Sequence, residues 1–387
     1  MNSAPMHNGP ADQRCPRSPP RARVLLFALL VTTLAIINII RSSEWKSKCQ
    51  HKAIAHDSLL SRPGAVKATF DDEATDCTDL LDKFRGYEID ETKHNKKGDF
   101  TRAHIILATA DQNRTEAFYI STHEKTIDSP RAAIMDYRVY YEQDLSNLVA
   151  RTFDIKAAKG ESSIFLDVGS NIGWFSLVAR RHGATEVYSF EPNVQNTIRF
   201  CESLALNGYH LDGRVLPIMK GAGETEGEEK LYAVDESNPG SFTFEKLARS
   251  KVGRNSTGLK APKEIGTLRI TTLDDFAERH RWFETKPSIG FFKIDVERYE
   301  LHVLRGARRL LQSKIIERIA LELQKGVRNS TKTETLQILW TAGYKPVLHG
   351  GYRGPNRPVD VNYETFQDLA DDFVAKRYRE NILFELR

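Results

Sequence analysis

Ile164-Phe165-Leu166-Asp167-Val168-Gly169-Ser170-Asn171-Ile172-Gly173 is the stretch whose reading decides the fold. Apolar and β-branched residues run into Asp167, and a turn opens at Gly169 and closes at Gly173. An amphipathic run then begins with Trp174, Phe175, Leu177, Val178 and Ala179. The pattern predicts a buried strand, a glycine-rich turn and a helix start. In such a turn the backbone can approach a ligand closely, and the helix N-terminus presents free N–H groups. Taken alone, the turn serves dinucleotides and plain packing equally well.

Eighteen residues after Gly173 stands Glu191, at the end of a second predicted strand, Val187-Tyr188-Ser189-Phe190-Glu191. An acid at that tip can accept hydrogen bonds from both hydroxyls of a ribose. The Gly-x-Gly-x-x-Gly fingerprint of nicotinamide enzymes is replaced here by Asp-Val-Gly-Ser-Asn-Ile-Gly. An Asp directly before the turn suits a ligand with an ammonium group and no pyrophosphate, as in S-adenosylmethionine (SAM). Asp167 is therefore read as holding the ammonium directly or through water, or else as bracing the turn. Gly169, Asn171 and Gly173 shape the cradle, and Glu191 takes the ribose. Asn193 lies toward the adenine or caps the following helix.

A third block, Ile289-Gly290-Phe291-Phe292-Lys293-Ile294-Asp295-Val296-Glu297-Arg298-Tyr299-Glu300, continues through Gly306-Ala307. Upstream of it lies Ile270-Thr271-Thr272-Leu273-Asp274-Asp275-Phe276. With Phe165 to Gly173, these blocks resemble the FkbM family of SAM-dependent methyltransferases, over about residues 140–345. The resemblance implies an α/β fold: a doubly wound, mostly parallel, seven-stranded Rossmann-like methyltransferase sheet. It also implies SAM as cofactor and Lys293 as part of the motif. The family usually carries glycine after Asp-Val-Glu, where this chain has Arg298, a residue large enough to reshape an acceptor pocket. Methyl transfer from a sulfonium is an in-line displacement that needs alignment and, for a hydroxyl acceptor, a base. Glu297 is the first base candidate, then Asp295, then His302. Glu322, at the end of a later strand, faces the same rim and can orient the acceptor. No metal site is predicted.

The chain has 387 residues and a formal charge of +4, with acids and bases interspersed. That balance gives no case for nucleic acid as partner. Residues 24–40 carry no charge and, as a helix, would span roughly 25 Å, the short end of a membrane crossing. Arg14, Arg17, Arg21 and Arg23 precede the run, whereas Arg41, Lys46 and Lys48 follow it. The long hydrophilic lead favours an uncleaved signal anchor over a cleaved signal peptide. This predicts a single-pass type II membrane protein of the Golgi or endoplasmic reticulum with a lumenal body. Sequons at Asn113, Asn255 and Asn329 fit that placement. Of the four cysteines, Cys49 and Cys77 are a candidate pair in the stem, and Cys201 reads as a buried core residue.

The chain divides into a disordered cytosolic tail (1–23), the anchor (24–40), a stem or linker (41–98), an N-terminal extension with a cover helix (99–160) and a methyltransferase domain (161–387). Strands are predicted at 164–168, 187–191, 215–219, 290–295 and 317–323, with helices at 174–182, 194–206, 298–312 and 333–342. This alternation argues for a parallel, doubly wound sheet. Two strands are predicted before it, His104 to Ala108 and Ala117 to Ser121, then a helix around Tyr141, Leu145, Leu148, Val149 and Phe153. Residues 224–270 break the rhythm and read as an insertion with one short strand. Asn381 to Leu386 reads as a final strand, antiparallel at the sheet edge.

The function these readings imply is SAM-dependent O-methylation of a hydroxyl on a glycan or glycoconjugate in the secretory pathway, with a SAM transporter as an implied partner. The alternatives are a lipid or small-metabolite methyltransferase at the membrane and a non-catalytic module that binds SAM or a glycan.

Overall fold

The computed structural model describes residues 74–85, 104–109, 117–123, 142–233, 242–244, 263–323, 327–350, 359–360, 362–375 and 380–387. The tail 1–23, the apolar run 24–40, most of the stem, and the sequons at Asn113 and Asn255 lie outside the described residues. No helix among the described residues is long and apolar enough to cross a membrane.

In chain order the structure begins with α1 (Cys77–Arg85), the hairpin β1 (His104–Thr109) and β2 (Ala117–Thr122), and α2 (Gln143–Ala158). The βα alternation follows: β3 (Ile164–Val168), α3 (Trp174–Arg181), β4 (Glu186–Phe190), α4 (Val194–Asn207) and β5 (Val215–Ile218). Next come the insertion strands β6 (Gly221–Ala222), β7 (Gly227–Ala233), β8 (Phe242–Phe244) and β9 (Lys263–Thr271), then the short helices α5 (Leu273–Arg279) and α6 (Trp282–Thr285). The chain returns through β10 (Ile289–Ile294), α7 (Glu300–Arg305), α8 (Arg308–Gln312), β11 (Arg318–Leu323), α9 (Asn329–Thr341), β12 (Tyr344–Gly350), β13 (Val359–Asp360), α10 (Phe366–Ala375) and β14 (Glu380–Leu386).

The main sheet runs β13-β12-β14-β11-β10-β3-β4-β5. β11, β10, β3, β4 and β5 are mutually parallel, whereas β14 is antiparallel to both β11 and β12. The sheet is therefore mixed, with an eighth strand, the two-residue β13, beyond the predicted seven. β14 does not lie at the edge as expected but slots between β11 and β12. Buried on both sides, it completes the apolar core with Ile382 and Phe384 on one face and Leu383 on the other. β3 and β10 are buried along their whole lengths, as strands covered by helices on both faces must be.

Two predicted elements differ in form. The helix expected over 298–312 is broken into α7 and α8. At the break a Cβ on Gly306 would overlap the carbonyl oxygen of Gly223, so the chain there makes way for the insertion. The insertion is itself a four-stranded sheet, β6-β9-β7-β8, where one short strand was expected. The Thr-Thr-Leu-Asp-Asp-Phe motif serves these joints. Thr272 Oγ1 caps α5 by accepting from the Asp275 amide at 2.9 Å, and Asp274 accepts the Arg309 and Leu310 amides at the start of α8. Phe276 packs edge-on against Tyr188, Phe190 and Trp282.

Helix α1 falls within the stretch read as stem, and Cys77 forms a disulfide with Cys201 of α4. The expected Cys49–Cys77 pairing is thereby corrected, and Cys201 is the buried core residue it was read as, here bridged to Cys77. A crosslink spanning 124 residues restricts the unfolded chain strongly. The Cys77→Ala variant should lose about 2–4 kcal/mol of unfolding free energy, read by chemical denaturation of the oxidised full-length chain. Alkylation of the parent without reductant should label neither Cys77 nor Cys201.

Candidate active site

The sheet reverses its winding between β3 and β10, because the chain steps outward from β3 to β4 and β5 and then returns to β10. Ligands of open α/β sheets bind at such a switch point, beyond the carboxyl ends of the strands. The two strand ends meet closely here: the Asp295 amide donates to the Val168 carbonyl at 3.0 Å. Gly169 (φ 84°) is obligatory, since a Cβ there would overlap the carbonyl oxygen of Asp295. Gly173 (φ 84°) leaves no room for a Cβ against the ring of Phe200 in α4. Gly169 is thus set by backbone packing and Gly173 by the Phe200 side chain.

The register places Lys293 beside Asp167. Lys293 Nζ lies 3.7 Å from Asp167 Oδ1, 3.5 Å from Asp295 Oδ2 and 3.2 Å from the Gly169 carbonyl oxygen, to which it donates. The ammonium also sits 5.2 Å from the centre of the Phe175 ring. Burial opposes the charge on Lys293, but Asp295 and Asp167 outweigh it and raise its pKa, so it stays protonated. Burial raises the Asp167 carboxyl, with Lys293 opposing. Asp167 is fully buried, and its Oδ2 accepts from Ser176 at 2.6 Å. Its carboxylate therefore underlies the cleft and braces the cluster, while the Asp295 side chain remains 17% exposed.

Glu191 is buried and nearly saturated. Its Oε2 accepts from the Asn171 amide at 2.8 Å, and its Oε1 accepts from the Asn193 amide at 2.9 Å and from Asn196 Nδ2 at 3.3 Å. A carboxylate offers about four acceptor directions, so one, on Oε2, stays open. Burial pushes the carboxyl up to about 7 against these hydrogen bonds. The Asn193 side chain caps α4 by accepting from the Gln195 amide at 3.0 Å, the second of its two readings.

The turn after Asp295 carries two left-handed residues, Glu297 (φ 53°) and Arg298 (φ 82°). Glycine adopts that conformation without steric cost, which gives a backbone reason for the glycine usual at position 298. The turn is held from beneath by Glu300, which sequence reasoning passed over. Its buried Oε1 accepts from the Arg298 amide at 3.0 Å and the Val296 amide at 3.4 Å. Burial pushes Glu300 up to about 7. Glu322 is buried on β11, one residue beyond Leu321, the partner of Ile294, and its charge favours the protonated Lys293. His302 turns to the insertion: Nδ1 lies 3.3 Å from Glu224 Oε2, and the ring stacks on Tyr299 at 4.4 Å. At the N-terminus of α2, Glu142 also favours the charge on Lys293, and Ser146 accepts from Trp174 Nε1 at 2.8 Å. The cover helix thus reaches the site. Among the described residues no cluster of three or more His, Cys, Asp or Glu forms a metal site.

Known proteins resemble this chain over the same region. Residues 167–346 match the model described as the Methyltransferase FkbM domain. The hexuronic acid methyltransferase AglP of Haloferax volcanii is 27% identical over 195 residues, 50% of this chain and 67% of its own length. Among solved structures, the methyltransferase FkbM of Methylobacillus flagellatus aligns with a TM-score of 0.34 and 15% identity. That alignment covers 58% of this chain and 43% of the other. A SAM-dependent O-methyltransferase of Thermotoga maritima aligns at 0.28 and 13% identity, covering 73% of this chain and 78% of the other.

Because Glu300 is protonated more readily folded than unfolded, ionisation of the unfolded state above the ordinary carboxylate range draws the parent toward unfolding until the folded group itself ionises near pH 7. A Gln keeps the acceptor and removes the titration. Relative to the parent, Glu300→Gln should therefore gain stability as pH rises from about 5 to about 8, measured by urea denaturation across that range.

Proposed function

We propose that this chain, a member of the FkbM methyltransferase family through residues 167–346, methylates a hydroxyl of a glycan or glycoconjugate at the β3–β10 switch point. The observation that carries the reading is the buried Lys293 bridging Asp167 and Asp295 directly beside Glu191's turn. The residues present fit SAM. Glu191 retains one acceptor direction for a ribose hydroxyl, and the cluster is acidic toward an ammonium: Asp295 is partly exposed, and Asp167 has a buried Oδ1 that makes no hydrogen bond. SAM supplies an electrophilic methyl group on a sulfonium.

The chain's own residues do the rest. Gly169, Asn171 and Gly173 fix the turn on which the cofactor lies. Glu297 and Asp295 present carboxylates at the end of β10, and one of them takes the proton of the acceptor hydroxyl as its oxygen gains the methyl. Glu297, on the turn that follows β10, is the base in this reading. Glu322 and Lys293 hold the floor of the acceptor side.

A saccharide acceptor is supported by the relative named for hexuronic acid methylation. A secretory-pathway location is supported by the Cys77–Cys201 disulfide, since such bonds persist in oxidising compartments. Asn329, exposed at the start of α9, is an accessible sequon. The apolar run 24–40 would act as the anchor of a type II topology, and lumenal chemistry then requires imported SAM.

The full-length chain, incubated with methyl-labelled SAM and a panel of neutral and uronic acid glycans, lipids and small alcohols, should label a glycan. Labelling of a lipid alone would move the acceptor to the membrane. With the labelled acceptor, Glu297→Gln should lower kcat by about 100-fold, the low end for general base catalysis, without changing affinity for SAM. Full activity in that variant transfers the base role to Asp295.

The hydroxyl contact also predicts a pH dependence. Glu191 accepts best when ionised, and its carboxyl titrates at about 7. Affinity for S-adenosylhomocysteine (SAH) should fall as pH drops below about 7. The fall should be absent in Glu191→Gln, with titration calorimetry at pH 5.5 to 8.5 as the measurement.

A further inference from the structure

Strand β2 runs along α4 and is joined to it by alternate residues. The Tyr119 amide donates to Asn207 Oδ1 at 2.8 Å, and Asn207 Nδ2 donates back to the Tyr119 carbonyl. The Ser121 amide donates to Ser203 Oγ at 2.9 Å, and the Ser121 hydroxyl to Glu202. At the last rung, His123 Nε2 lies 2.9 Å from Asn196 Oδ1. Asn207, Ser203 and Asn196 form one polar stripe on α4, spaced by about one and then two turns. Asn196 does not end the chain of contacts, because its Nδ2 donates to Glu191 Oε1 at 3.3 Å. His123, Asn196 and Glu191 are all buried, so no water competes for these bonds.

We propose that His123 and Asn196 are positioning residues of the cofactor site: β2, through His123 and then Asn196, holds the Glu191 carboxylate in the orientation that leaves Oε2 open to the ribose. The inference rests on the reading of Glu191 as a ribose ligand. The amide of Asn196 can satisfy both neighbours only one way round, with Nδ2 toward the carboxylate and Oδ1 toward an Nε2–H. The imidazole is therefore the Nε2–H tautomer. Burial, which holds His123 down to about 4, keeps it neutral and so leaves that tautomer in place. Oε1, saturated by Asn196 and the Asn193 amide, cannot swing toward the cleft, and Oε2 is left to face it. The N-terminal hairpin thereby reaches a site most of whose residues lie beyond Gly160 in the chain.

The test uses the full-length chain and two ligands, SAH and an SAH analogue lacking both ribose hydroxyls. Asn196→Ala and His123→Leu should weaken SAH binding about tenfold, the low end for a hydrogen bond to a charged group. Asn196→Asp, which places a second carboxylate against Glu191, should weaken it further. His123→Gln, whose amide N–H can reach Asn196 Oδ1, should restore the parent affinity. None of these changes should alter affinity for the analogue, because it makes no contact that the chain positions. Equal weakening toward both ligands, or no weakening toward SAH while Glu191→Gln does weaken it, would overturn the proposal and leave the ribose reading intact. If Glu191→Gln itself leaves SAH binding unchanged, the ribose reading fails and this proposal fails with it. Thermal unfolding of each variant, with the parent as reference, identifies any that is lost to misfolding, and the His123→Leu and His123→Gln pair then decides alone.

Discussion

A lysine with no exposed surface to speak of cannot carry its charge without anionic partners, and the centre of this molecule is arranged around that constraint. Lys293 lies between Asp167 on β3 and Asp295 at the end of β10. Removing one partner from such a set costs far more than the pair itself contributes, because a buried charge is left behind. The register that puts Lys293 beside Asp167 is thus held by electrostatics as well as by the apolar runs on either side. The same ammonium bonds the Gly169 carbonyl, so the turn and the ends of β3 and β10 are tied at one atom. With the two strand ends locked, Gly169 must lack a side chain, and the cleft opens where the winding reverses.

Helix α4 does for the periphery what Lys293 does for the centre. Phe200 fills the space under Gly173, Cys201 is bonded to α1, and the stripe from Asn196 to Asn207 receives β2. Each of these contacts joins the helix to a segment distant in sequence. Segments that precede the α/β core are therefore packed onto the helix that follows Glu191, and the N-terminal extension is part of the architecture of the cleft.

Much of this was legible in the sequence for reasons that can be named. The strands at 164–168 and 290–295 are buried on both faces, so they read as largely apolar runs, and the acids Asp167 and Asp295 fall at or near their carboxyl ends. Glu191 stood out because an acid that closes an apolar strand has few structural explanations. What stayed illegible depends on distance along the chain. Spacing could not pair Cys77 with Cys201, since cysteine connectivity is not encoded locally. An antiparallel strand at the C-terminus looks alike whether it ends a sheet or, as β14 does, slots into it. Asn196 and His123 are ordinary polar residues in sequence, and only the crossing of β2 over α4 gives them a common partner. Glu300 was passed over because an acid at a helix start is ordinarily a solvated dipole contact, whereas this one is buried under the preceding turn.

The two turns that frame the cleft are built on one principle. Asn171 (φ 52°) lies in the first, and Glu297 and Arg298 lie in the second, all in left-handed conformations that cost an L-residue about 1–2 kcal/mol apiece. Each turn is held by a buried glutamate that accepts main-chain N–H groups: Glu191 that of Asn171 in the first turn, together with that of Asn193 at the start of α4, and Glu300 those of Val296 and Arg298 in the second. Both carboxyls are pushed up to about 7 by the burial that makes them effective clamps. Strain of this kind persists only where its surroundings over-determine it, and it gathers where geometry must be fixed in advance of a ligand. Asparagine is the mildest residue to place in such a conformation, because its short polar side chain is tolerated there. Arginine at 298 has no such excuse. Its retention of a backbone shape suited to glycine means that the turn is dictated by Glu300 and the β3–β10 junction, not by the residue that occupies it. A large cationic side chain is therefore carried on a backbone already fixed.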